Sequence, residues 1–116
     1  MRFDIEIVLR DRNTAVTERV EHAAEPREWT EADVAEILRE ILRAIDRARN
    51  PGAQDRYVAL RGFSWIVEPA PGGVVIAIEI PSGAAVAGPF DIDQSALDRL
   101  ISRVLASTSS SKAVVH

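Results

Sequence analysis

The sequence predicts a two-layer α+β sandwich: a mainly antiparallel sheet of about five strands, in the chain order β-β-α-β-β-β-α, with two amphipathic helices on one face. Three observations carry this. Apolar and polar residues alternate at the N-terminus, two segments repeat apolar residues at helical spacing, and the stretch from 57 to 87 is rich in β-formers broken by Pro and Gly turns. With 116 residues, 47% of them hydrophobic, the chain suffices for one core, expected over 1–106 and followed by a Ser-rich tail over 107–116.

Phe3, Ile5, Ile7 and Leu9 alternate with Asp4, Glu6, Val8 and Arg10, the period of a strand with one buried face. Asp11-Arg12-Asn13 turns the chain, and Val16, Thr17 and Val20 suit a returning edge strand within Thr14 to His22. Val16, Val20, Ala23 and Ala24 also share a helical side, but we read this stretch as a strand. After a polar connection from Glu25 to Trp29, Thr30 and Asp33 form a capping box, and Trp29 and Val34 have the spacing of a hydrophobic staple. Val34, Ile37, Leu38, Ile41, Leu42, Ile45 and Ala48 then form a helical stripe that ends at Asn50-Pro51-Gly52.

Tyr57 to Glu68 is the third expected strand, Pro69 to Gly73 a turn cluster, and Val74, Ile76, Ile78 and Ile80 mark the fourth. Pro81-Ser82-Gly83 turns again into a short strand, Ala84 to Ala87, stopped by Gly88-Pro89. Asp93 caps a last helix in which Leu97, Leu100, Ile101, Val104 and Leu105 lie on one side, with Ile92 and Leu97 as a second staple.

Composition narrows the chemistry. The absence of cysteine excludes disulfides, thiolate zinc sites and cysteine nucleophiles, and His22 and His116 are too few for a histidine cage. No cofactor is expected, and the balance leans away from an enzyme. The longest stretches without a charge, Pro69 to Ile78 and Ile80 to Phe90, fall short of the roughly 20 residues of a membrane-spanning helix. A net charge of −4 and a pI near 5.2 argue against nucleic acid as a partner. The charged N-terminus does not read as a secretory signal, so a cytoplasmic location is expected. Arginine supplies 13 of the 14 bases, which together with the many alanines suggests a GC-rich bacterial genome.

Charge is also uneven. Residues 1–56 carry 23 charged side chains and residues 57–111 only 8, and between Pro69 and Phe90 Glu79 is alone. Such a segment is either buried on both faces at the centre of a sheet or covered by something outside the chain. The leading expectation is therefore a non-enzymatic protein-interaction or assembly module that self-associates, as a homodimer or with another protein, through 69–90, with Val75, Ala77, Ala85, Val86 and Ala87 at the interface.

Other residues carry competing chemistry. Arg61-Gly62-Phe63-Ser64-Trp65-Ile66 resembles the RNP1 strand of RNA-recognition motifs, in which aromatic rings stack bases. It departs at Ser64, where Gly or Ala is usual, and at Glu68, where an aromatic is expected, and the order of elements around it differs from that family. The resemblance implies single-stranded RNA binding through Arg61, Phe63 and Trp65. Alternatively, Arg61, Phe63, Trp65 and Glu79, with Tyr57 and Asp91, line a ligand or enzyme pocket between sheet and helices. Glu79 is expected across from Phe63 and paired with Arg61. Asp91 and Asp93 are weak candidates for a hard cation such as Mg²⁺, although Asp93 already has a capping role. Arg39, Arg43 and Arg47 form a ridge diluted by Glu36, Glu40 and Asp46, read as a solvated face. His22 reads as an isolated surface histidine, and Ser64, Ser82 and Ser95 lack the context of a nucleophile.

Overall fold

The computed structural model describes residues 1–12, 15–52 and 58–114, with side chains through Ser107. Five strands, β1 (Arg2–Leu9), β2 (Ala15–Glu21), β3 (Ser64–Ala70), β4 (Gly73–Ile80) and β5 (Gly83–Phe90), form one sheet in the order β2-β1-β5-β4-β3. Every neighbouring pair is antiparallel. Two helices, α1 (Glu31–Arg49) and α2 (Gln94–Val114), cover one face, so the arrangement is the α+β sandwich that the periodicities predict. The first, α1, packs on β1, β5 and β2, whereas α2 packs on β3 and against α1.

The segment from 15 to 21 is a strand because Val16, Glu18 and Val20 pair across Ile7, Ile5 and Phe3 of β1. Between β2 and α1 a 3₁₀ turn, Pro26–Glu28, replaces the plain connection. At the start of α1 the Thr30 hydroxyl accepts from the Asp33 N–H at 3.3 Å while the Thr30 N–H donates to Asp33 Oδ2 at 2.9 Å, the reciprocal capping box. Trp29 and Val34 are both buried. Asp93 Oδ2 accepts from the Ala96 N–H at 3.2 Å at the start of α2.

The core lies between the helices and the covered face. Ile5, Ile7, Ile37, Leu38, Ile41, Ile45, Ile76, Ile78, Phe90, Leu97 and Ile101 are fully buried. Phe3, Phe90 and Trp29 form an edge-to-face stack with centroids 5.0 Å apart at each step, which fixes the end of the sheet where both helices begin.

Four expectations shift. The third strand spans Ser64–Ala70 instead of starting at Tyr57, which lies outside the described residues, and its hairpin closes on a two-residue turn, Pro71-Gly72. That register sets Glu79 opposite Ser64, not Phe63. The fifth strand runs on through Gly88-Pro89, a cis bond, to Phe90. Pro89 is tolerated there because pairing with β1 has ended at Gly88 and the register with β4 shifts between Val74 and Ile76, so no ladder N–H is required of it. Gly73 is required at the same irregularity: its φ is +146°, and a Cβ there would lie 2.0 Å from the Phe90 carbonyl oxygen. Finally, the helix backbone of α2 continues through the serine run to Val114, since no Gly or Pro interrupts it after Asp93 and serine lowers helix propensity only modestly.

Candidate functional site

Strand periodicity gives the sheet two faces, and the helices cover only one. Directed away from them are Val8 on β1, Ala84 and Val86 on β5, Val75 and Ala77 on β4, and Ile66 on β3. Val8 is 49% exposed, Val86 43% and Ile66 51%, the most exposed large apolar side chains of the sheet's open face. Registers place them side by side. One row runs Glu6, Val86, Ala77, Ile66, and the next runs Val8, Ala84, Glu79, Ser64.

Of the five interface residues read from the sequence, Val75, Ala77 and Val86 belong to this open face. Ala85 and Ala87 do not. They alternate with Val86 and are buried beneath the helices, so the strand's own pleat removes them from any surface. The structure adds Val8, Ile66 and Ala84, which sequence reasoning missed. The available signal was parity: Val8 is an apolar residue in the polar phase Asp4, Glu6, Arg10, and Ile66 sits between two core-facing positions.

Charge on the open face is divided. At the β1–β2 margin Arg19 donates to Asp4 at 3.0 Å and Arg2 lies 3.1 Å from Glu21, exposed pairs of little energetic weight. Glu6, Glu68 and Glu79 make no hydrogen bond or ion pair among the described residues, nor does the side chain of Arg10, which lines one cleft with Glu79. The expected pairing of Glu79 with Arg61 is absent, because the one-residue change of register and the loop before β3 carry Arg61 away.

The proposed pocket residues are not brought together in one site: Phe63 and Glu79 share a cleft, and Arg61 and Trp65 lie in others. Arg61 lines an open cleft of about 640 Å³ with Leu42, Asp46 and Arg49. Phe63 and Glu79 line a second of about 390 Å³ with Arg10 and Ser64. Trp65 turns to the covered side and lines a third beside Gln94, Ser95 and Asp98. For the same reason the RNP1-like strand presents Ser64, Ile66 and Glu68, and no aromatic ring, on the open face.

Asp91 and Asp93 sit in another open cleft, of about 670 Å³, which is also lined by Arg27, Arg99 and Arg103. Arg27 donates to Asp91 at 3.1 Å and Asp93 caps α2, so both carboxylates have partners. Among the described residues no group of three potential metal ligands occurs. The arginine ridge of α1 is tied into a network: Arg43 bridges Glu36 and Glu40 at 3.2 and 3.0 Å, and Arg47 reaches Glu18 on β2.

His22 is not a free surface histidine. Its ring packs edge-on against Trp29, and Nε2 lies 3.0 Å from Asp33 Oδ1. Asp33 thus joins the β2 end to the cap of α1. The Thr30 backbone N–H, then the His22 ring and the Thr30 hydroxyl, hold its carboxyl below the usual range.

Comparison of the chain with protein-family models, curated proteins and solved structures finds no match. Among the described residues no helix is long and apolar enough to cross a membrane. The open face therefore stands on its own geometry.

Proposed function

We propose that the protein is a non-enzymatic interaction module that docks a protein partner on the open face of its sheet. The observation that supports this reading is the contiguous apolar surface of Val8, Val86, Ala77 and Ile66 on the side of the sheet that the chain's own helices leave bare. Isolated exposed apolar residues need no explanation, but neighbours on four strands, with Ala84 joining Val8 to Val86, form a patch that association would remove from water. Small residues at 77 and 84 let another element approach the backbone closely.

Site-specific photo-crosslinking in the source cells tests the reading. A crosslinker at position 86 should give a discrete protein adduct, whereas one at position 102, on the exposed side of α2, should not. The adduct's mass distinguishes a second copy of the chain, the self-association expected from the sequence, from a different protein. No adduct from 86, or equal labelling from 86 and 102, contradicts the proposal.

A further inference from the structure

We infer that the partner segment seated on the open face is a cationic amphipathic helix of another protein, not a second copy of this chain packed face to face. This rests on the open face being the docking surface, and adds the chemistry of its occupant.

The apolar residues of the face form a diagonal. It begins at Val8, passes Ala84 and Val86, and reaches Ala77 and Ile66, crossing from β1 to β3 while stepping one pair of residues along the strands. Three strand spacings and one such step give a length of about 16 Å, which matches about three turns of α-helix. Glu6 lies on one flank of this diagonal, Glu79 on the other, and Glu68 beyond its far end opposite Val75. None of the three forms an ion pair among the described residues, although Arg10 lines one cleft with Glu79, in contrast to Asp4 and Glu21, which Arg19 and Arg2 neutralise. A helix with apolar residues at i, i+3 or i+4 and i+7, flanked on both sides by Lys or Arg, complements the diagonal and both flanks at once.

A second copy fits poorly. A two-fold axis running across the strands along the row of Glu6 stacks Glu6 on the Glu6 of the second copy, and one between the two rows sets Glu6 over Val8 and Glu79 over Ala77. An axis along β5 instead sets Glu6 over Ala77 and Glu79 over Val8. These arrangements take the unpaired carboxylates out of water, with Arg10 as the unpaired base that each face supplies among the described residues, and a desolvated carboxylate without a counter-charge opposes association.

Display selection of random peptides about four helical turns long on the immobilised protein tests the inference. Enriched peptides should carry Lys or Arg on both sides of an apolar stripe and lose binding to the Val86→Arg variant. Their dissociation constants should rise about tenfold when Glu6, Glu68 and Glu79 are all replaced by Gln, the sum of three modest surface pairs. Val86-dependent peptides without basic residues overturn the charge assignment and leave the docking face standing. Peptides that bind Val86→Arg unchanged, or no enrichment over an unrelated protein, overturn both. A mass of twice 12.7 kDa by light scattering, reduced to the monomer by Val86→Arg, assigns the face to a second copy and overturns the inference.

Discussion

On strand β4 the side chains facing the helices are Val74, Ile76 and Ile78, while those facing away are Val75, Ala77 and Glu79. Strand β5 shows a different division: Ala85 and Ala87 face inward, and Ala84 and Val86 outward. The central strand is thus small on both faces, and what separates its two surfaces is the neighbouring strands and the helices above. Inside, Ile5, Ile7, Ile76 and Ile78 flank the alanines and α1 seals them. Outside, Val8 and Glu79 flank Ala84, Glu6 and Ala77 flank Val86, and none of the described elements of the chain seals them. The comparison teaches that one sheet supplies stability through one face while the described elements leave the other bare, the face on which we propose that a partner docks.

The sharpest way to break this comparison is to truncate matched side chains on the two faces. Ile76→Ala removes a fully buried side chain and should lower the unfolding free energy by about 2–5 kcal/mol, whereas Val86→Ala should change it by no more than about 0.5 kcal/mol. Urea denaturation of both variants checks this. Equal losses would mean that the open face is part of the core.

How much of this was legible in the sequence follows from the same contrast. Phe3 to Leu9 alternates so regularly that strand, inner face and outer face were fixed by pattern alone, and the stripe from Val34 to Ala48 did the same for α1. In the meander the pattern fails because residues on both faces are apolar, so Ala85 and Ala87 could not be told from Ala84 and Val86 without the register. Register depends on where a hairpin closes, and a two-residue closure at Pro71-Gly72 in place of a broader turn moved the partner of Glu79 by one residue. His22 was illegible for another reason: its partners Trp29, just before α1, and Asp33, in its first turn, lie outside β2, and only the folded entry into α1 brings them to it.

A smaller effect is expected at that entry. Thr30→Ala removes the hydroxyl that accepts from Asp33 N–H and should cost about 1 kcal/mol, read from the thermal midpoint. Thr30→Ser should retain most of the stability, and equal losses in both variants would assign the cost to packing.

The smallest effect is titratable. Because the folded protein holds the Asp33 carboxyl below its ordinary value of 3.8, the stabilisation is fully present above that pH and is lost as pH falls through the folded value. Wild type and Asp33→Asn should therefore differ most near neutral pH and converge in acid. A constant difference across that range would show that Asp33 acts through shape alone.

The most direct test of the bare face as a docking surface is to measure two quantities on Val86→Arg at once: stability by urea denaturation, and crosslinking from position 66 in the source cells. Ile66 shares the row with Val86 through Ala77. The account predicts stability within about 1 kcal/mol of wild type together with loss of the adduct formed from position 66. A full-strength adduct, or loss of the folded state, would contradict it.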